Sequence, residues 1–352
     1  MSTRVITFIE GIREAIDEAM EQDDSVILFG LGVDDPKRIF SSTKDLVEKY
    51  GKDRVFDVPT SENAITGIGI GAAINGQRPI MVHQRLDFFL LAMDQLVNAA
   101  AKWYFMFGKQ RGVPITIRLI MGRGWGQGPT HSQNLQAWFA HIPGLKVVMP
   151  ATTADAKGLL LSSIKDNNPV IFMEHRWLHN IKGSVSTETK QIPIGKAKIL
   201  REGNDITIIA MSYMVIEAMH AAEFLESHDI SCEVIDLRTV APIDYDSVYA
   251  SVKKTKKAIV LDTGNISGSI SGEIVAKLID ELWDILEVKP ERLASPDFPE
   301  GTSFALTKNY HIGAEDIVRT ISNMLEENVD IAGAFEKEHP HDIPGDWFKG
   351  PF

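Results

Sequence analysis

Short runs of aliphatic and β-branched residues alternate along this chain with longer stretches whose apolar positions recur every three or four residues. Runs at 26–30, 79–83, 114–120, 146–149 and 170–173 read as strands. Segments 7–22, 62–75, 87–107, 133–140 and 153–165 read as helices. Such alternation belongs to a parallel sheet with helices on its faces. The polar stretch from Lys182 to Lys190 follows neither period and reads as a linker at 182–192. The alternation then restarts, with strands expected at 205–210, 232–235 and 258–262 and helices at 213–227, 247–253, 270–286 and 315–325.

The expected organisation is therefore an α/β domain at 1–181, a second α/β domain at 193–326 and an extended tail at 327–352. A length of 352 residues suits two domains. The tail carries His339-Pro340-His341 and ends Gly345-Asp346-Trp347-Phe348-Lys349-Gly350-Pro351-Phe352. It is too aromatic for a plain disordered end, and is expected to lie on the second domain or on a partner.

Composition narrows the function classes. Lys and Arg number 36 against 48 Asp and Glu, a net charge of −12, which argues against a nucleic-acid surface or a basic membrane patch. The longest apolar region, from Phe88 to Phe107, is interrupted by Asp94, Gln95, Asn98 and Lys102, so it reads as a buried helix and no membrane span is expected. Cys232, the single cysteine, sits in an apolar run and reads as a packed strand residue. With no targeting pattern at the N-terminus, the expected location is cytoplasmic.

Candidate chemistry gathers between Val55 and Ala140. In Pro59-Thr60-Ser61-Glu62-Asn63, Ser61 is a plausible N-cap and Glu62 falls in the first helical turn. The helix behind it contains Gly67, Gly69 and Gly71, which cost helix propensity and imply a close neighbour. Three further features follow predicted strand ends, where open α/β sheets place ligands. They are His83-Gln84-Arg85-Leu86-Asp87-Phe88, the loop Gly122-Arg123-Gly124-Trp125-Gly126-Gln127-Gly128, and Thr130-His131-Ser132-Gln133. Each alone has an ordinary reading: a helix-start acid, a core aromatic, a flexible loop with weak phosphate character, a solvated histidine.

Taken in order, these blocks resemble the beta subunit of the thiamine-diphosphate-dependent 2-oxo-acid dehydrogenases, the group with pyruvate, branched-chain and acetoin enzymes. The resemblance spans about residues 4–325 and is strongest in Ser61-Glu62 with Thr66-Gly67-Ile68-Gly69, in Met93-Asp94-Gln95-Leu96-Val97-Asn98 and in His131-Ser132-Gln133. It continues through Pro143-Gly144-Leu145-Lys146, Asp155-Ala156-Lys157-Gly158, Asp166-Asn167-Asn168-Pro169 and Val234-Ile235-Asp236-Leu237-Arg238-Thr239. It implies a transketolase-like pyrimidine-binding domain followed by a transketolase C-terminal-type α/β domain.

The resemblance also implies roles. Glu62 would bond the aminopyrimidine ring nitrogen of thiamine diphosphate and favour the tautomer that deprotonates the thiazolium carbon. Phe88 falls where the family sets an aromatic against the pyrimidine, and His131 where it has an active-site histidine suited to stabilising or protonating the substrate adduct. In some members, positions matching Ser163, Ile164, Asp166 and Asn168 hold a potassium ion through hard oxygen ligands; a plain polar turn accounts for the same residues. Enzymes that hold the whole cofactor use a Gly-Asp-Gly segment for magnesium, and this chain has none. Magnesium and the diphosphate would then be held by an alpha subunit in a two-plus-two heterotetramer with beta–beta self-association, and a lipoyl acyltransferase is a further expected partner.

Departures from the family pattern leave the 2-oxo acid and the acyl acceptor open. Thr130 stands where Gln is common, Asp262-Thr263-Gly264 where Glu-Ala occurs, and Pro299-Glu300-Gly301-Thr302 lacks the usual proline-rich turn. Half of a split transketolase or deoxyxylulose-phosphate-synthase-like enzyme, and a non-catalytic scaffold subunit, are the alternative readings. The helix at 87–107, with Ala99-Ala100-Ala101, is expected to serve either as subunit contact or as internal core.

Overall fold

The computed structural model describes residues 2–35, 39–124, 126–188, 190–335 and 341–348. Trp125, Thr189, His339, Pro340 and 349–352, all singled out in the sequence, lie outside the described residues.

A seven-stranded sheet dominates the first half, in the order Thr239–Ala241, Lys146–Val148, Val170–His175, Thr116–Met121, Arg78–His83, Val26–Gly30, Val55–Asp57. All neighbours are parallel except Thr239–Ala241, which runs antiparallel to Lys146–Val148. Side chains alternate between two apolar layers, as the two-residue period of a strand requires. Met81, Ile117, Leu119, Ile171 and Met173 face one cluster with Ile65, Ile70, Phe89 and Leu96. Ile80, Val82, Ile120, Val170 and Phe172 face another with Ile12, Ile16, Leu159 and Leu160. Helices Phe8–Gln22 and Thr153–Lys165 pack together over that second face. The first begins at a capping box in which Thr7 and Glu10 satisfy each other's backbone N–H groups.

The second sheet has five strands in the order Glu291–Ser295, Ala258–Asn265, Ile206–Ala210, Cys232–Asp236, Lys198–Arg201, the last antiparallel. Cys232 is fully buried and burial pushes its thiol up to about 12, so it packs as a small apolar residue.

The strands Thr3–Thr7, Val55–Asp57, Lys198–Arg201, Thr239–Ala241 and Glu291–Ser295 and the helix Leu46–Tyr50 are not in the sequence expectation, and two of the expected elements take another form. Residues 182–186 are not free linker: Lys182–Ser186 pairs antiparallel with Thr3–Thr7. Only Val185 of this strand is buried, so its hydrophobic pattern carries no signal. The helix expected at 87–107 is a succession of short helical segments, Leu86–Phe89, a tight turn Leu90–Ala92, a wide π-helical stretch Gln95–Ala100 and Ala101–Met106. Its alanines serve the interior, since a side chain on Gly144 would fall 2.0 Å from the Ala101 carbonyl. Its outer end is apolar and exposed at Tyr104, Phe105, Met106 and Phe107, with Phe105 84% exposed. Among the described residues, no helix is long and apolar enough to cross a membrane.

Candidate functional site

Because the strands are parallel, the segments leaving Asp57, His83 and Met121 emerge at one edge of the sheet, and they carry Glu62, Phe88 and His131. Asp57 shapes the first: its carboxylate accepts from the backbone N–H of Gly32 at 2.8 Å and of Val58 at 2.9 Å. Ser61 occupies the N-cap position of Glu62–Ile74, but its hydroxyl makes no capping bond, contrary to the sequence expectation. The close approach expected at the helix glycines is real at two of them, a side chain on Gly67 meeting Gln95 Oε1 at 3.3 Å. A side chain on Gly69 would meet the Phe29 ring at 3.0 Å, whereas Gly71 has nothing within 4 Å and faces open space.

Glu62 is only 7% exposed, yet among the described residues its carboxylate has neither a hydrogen-bond donor nor a cation beside it. Its helix packs against the Leu86–Phe89 turn. That turn leaves Phe88 39% exposed, an unusual state for a phenylalanine beside a core. The His131 ring stands edge-on to it, with centroids 5.1 Å apart and planes at 89°. Asp87 links the two segments, accepting from Gln133 Nε2 at 2.8 Å. His131 donates its backbone N–H to Gly128 at 3.2 Å, and its Nδ1 lies 3.0 Å from Thr130 Oγ1. Phe88 and His131 are thus in contact, with Glu62 heading the adjacent helix. Nearby His83 is buried against Phe89 with its Nε2 unpartnered; burial lowers its pKa to about 4, so it is neutral at pH 7.

The glycine-rich loop offers its cations to the protein rather than to a phosphate. Arg85 donates to the Gly122 carbonyl at 3.0 Å and to Gln127, and burial lowers its pKa to about 10. Arg123 donates to Glu300 at 2.8 Å, to the Gly301 carbonyl at 2.9 Å and to Asp342 at 2.6 Å. Gly122 lies against the His175 ring, where a side chain would meet Nε2 at 2.3 Å. Asp87, Gln133 and Arg123 were quoted in the motifs, but nothing in their local sequence names their partners, which come from other segments.

The potassium expectation does not fit the 163–168 turn. Arg78 Nη1 donates to the Ile164 carbonyl at 3.2 Å and to the Asp166 carbonyl at 3.0 Å. The Ser163 carbonyl accepts from Asp166 N at 3.2 Å, and the Ser163 hydroxyl donates to Leu159. Lys146 pairs with the Asp166 carboxylate. Only Asn168 Oδ1 is buried without a partner. Two side-chain cations already neutralise the turn, and one free oxygen is far below what a hard cation requires.

Comparison with known proteins agrees with this architecture. The family described as transketolase, pyrimidine binding domain, matches residues 4–181, and transketolase, C-terminal domain, matches residues 195–317. Pyruvate dehydrogenase E1 component subunit beta-1, mitochondrial, of Oryza sativa subsp. japonica is 39% identical, covering 94% of this chain and 90% of its own. Pyruvate dehydrogenase E1 component subunit beta of Rickettsia bellii is 38% identical, over 91% of this chain and 98% of its own. The beta subunit of acetoin:2,6-dichlorophenolindophenol oxidoreductase from Bacillus subtilis is 38% identical, over 92% and 98%. In structure, a split gene transketolase solved as an inactive beta4 tetramer superposes with a TM-score of 0.73 at 22% identity, covering 91% of this chain and 99% of that one; at this identity the likeness concerns the fold alone.

Proposed function

This chain belongs to the transketolase-type family that contains the beta subunits of 2-oxo-acid dehydrogenases, and we propose that it is such a subunit, acting with an alpha partner to decarboxylate a 2-oxo acid and transfer the acyl group. The observation that carries the reading is Glu62, a nearly buried residue whose carboxylate has no partner among the described residues, at the same sheet edge as an exposed aromatic ring in contact with a histidine. Among the described residues, the enclosed side-chain atoms without a partner include none of Glu62, so its carboxylate reaches the surface from an otherwise buried residue and is open to a ligand.

Thiamine diphosphate, when bound, supplies the nucleophilic carbon and the electron sink for decarboxylation. Glu62 would hold the ring nitrogen of its aminopyrimidine by sharing a proton with it. Phe88 offers an apolar face to the heterocycle. His131, turned edge-on to Phe88 and steered by Thr130, gives or takes a proton at the substrate's oxygens. The chain's lack of a Gly-Asp-Gly segment leaves magnesium and the diphosphate to the alpha subunit. Exposed Ile68 and Leu91, beside the open face at Gly71, give that subunit an apolar surface next to Glu62. The assembly is a two-plus-two heterotetramer with beta–beta contact, and a lipoyl acyltransferase takes the acyl group.

The test is coexpression with an alpha subunit carrying Gly-Asp-Gly, followed by assays with an artificial electron acceptor for decarboxylation of pyruvate and branched 2-oxo acids and for oxidative carbon–carbon cleavage of acetoin. The expected result is turnover by the complex, none by this chain alone, and loss of turnover in Glu62→Gln. Full turnover by Glu62→Gln, or activity confined to sugar phosphates with an aldehyde acceptor, overturns the reading.

A further inference from the structure

The C-terminal segment reaches back across the molecule to the loop that presents His131. Two of its anchors converge on consecutive loop residues. Asp342 accepts from Arg123, and Trp347 donates its indole N–H to the Trp177 carbonyl at 2.9 Å while Trp177 donates its own to the Gly124 carbonyl at 3.1 Å. Lateral contacts fix the same segment. Thr307 Oγ1 lies 3.1 Å from His341 Nε2 and 3.2 Å from Asp342, the His341 ring lies on Phe304 at 3.9 Å, and Arg176 stands over the Phe348 ring at 5.4 Å.

Arg123 is 2% exposed and faces two carboxylates, one from Glu300 and one from Asp342. Glu300 alone balances its charge, so the tail carboxylate adds direction more than neutrality: the guanidinium is drawn between two fixed points. Further along the loop, Gly128 lies against Thr302, where a side chain would meet Oγ1 at 2.3 Å. The loop is therefore gripped at 123, 124 and 128, and His131 hangs from the Gly128 carbonyl.

We propose that segment 341–348 is a positioning strap for the His131 loop, with Asp342 and Trp347 as its positioning residues; the proposal rests on the role given to His131 above. Neither residue touches substrate or cofactor. They act by holding the histidine in register with the reacting centre, where misplacement of about 1 Å can cost up to 10²-fold in rate.

In the assembled alpha–beta complex, Asp342→Ala is expected to lower kcat by about tenfold, with KM for the 2-oxo acid selected above and thiamine diphosphate affinity unchanged. Asp342→Asn, which keeps an acceptor oxygen, recovers most of the loss. In a His131→Ala background, Asp342→Ala produces no further loss, because residues acting as one unit are not additive. Trp347→Phe removes a single indole donor and gives a smaller fall of the same kind, which serves where Asp342→Ala does not assemble. Wild-type kcat in both variants, or losses that multiply with His131→Ala, overturn the strap. Amide hydrogen exchange across 122–133 judges it independently of catalysis: the strap requires faster exchange in Asp342→Ala or Trp347→Phe, and unchanged exchange in both contradicts it. Full turnover by His131→Ala overturns the role of His131 instead and leaves the exchange result to decide the strap.

Discussion

Glu62 and Glu174 are both buried carboxylates of the first domain, and they are treated in opposite ways. Glu174, fully buried near the end of Val170–His175, holds Arg118 on the neighbouring strand through bonds of 2.6 and 3.0 Å. Burial alone would raise its pKa, but the Arg118 guanidinium and the nearby His179 together offset this and hold it at about 2. Glu62, at the sheet's ligand edge, has no such cation among the described residues. A paired acid inside the sheet belongs to the fold, whereas an acid without a partner at the edge is, on the function proposed above, kept for a ligand.

The largest effects should separate the two. Glu62→Gln is expected to lower turnover of the assembled complex by roughly 10²–10⁴-fold, the usual worth of a positioned acid–base group, while its melting temperature stays at the wild-type value. A parallel fall in melting temperature would make Glu62 a structural residue like Glu174. Arg118→Ala does the reverse. It leaves the buried Glu174 with His179, whose Nε2 is 3.5 Å away, in place of a guanidinium, at a cost of about 3–5 kcal/mol in denaturant unfolding. A stability loss well under this would show that the pair contributes little.

Acid sharpens the contrast. Glu174 falls from 4.5 to about 2 on folding, so its contribution is complete above pH 4.5 and is lost as pH drops toward 2. His83 and His175 are held neutral by burial, at about 4 and about 3 against an ordinary 6.5, so below pH 6.5 the unfolded chain binds protons first and stability falls. Asp236 opposes them: burial and the nearby Asp155 raise it from 3.8 to about 7, so its contribution is lost as pH rises through that range. Burial lowers His179 to about 4 as well and raises Asp262 and Asp316 alongside Asp236; Glu174 and the three histidines prevail and predict a melting temperature that declines from pH 6.5 downward and steepens below 4.5. A rise on acidification would contradict the assignment of these buried states.

Smaller changes test the edge of the site. Phe88→Leu removes the ring facing His131 and should weaken thiamine diphosphate binding to the complex by about three- to tenfold in a titration, in line with the worth of an aromatic pair. Unchanged affinity would remove Phe88 from the cofactor's surroundings. The smallest effect is none: replacing sodium by potassium should leave the melting temperature unchanged, because Arg78 and Lys146 already occupy the 163–168 turn. An upward shift that grows with potassium concentration would show binding to the folded state and restore the ion.

What the sequence made legible follows from what is local. The parallel strands and capped helices announce themselves through period and end signals, as at Thr7 and Glu10. Polar or very short strands do not: Lys182–Ser186 and the three-residue Thr239–Ala241 exist because of distant partners, Thr3–Thr7 and Lys146–Val148. The same division holds at the site. Glu62, Phe88 and His131 could be named from motif and resemblance, but Arg123 in its glycine loop read as a weak phosphate ligand until Glu300 and Asp342, far along the chain, accounted for its charge. The tail's contacts on both domains were equally out of reach, because aromatic content says that a segment docks and not where.

The claim that Glu62 activates the cofactor is tested most directly by exchange of the thiazolium proton of thiamine diphosphate with deuterium, read by NMR after acid quench of the assembled complex. The account predicts that Glu62→Gln slows this exchange by on the order of 10²-fold or more with the cofactor still bound. Exchange at the wild-type rate in that variant would contradict it.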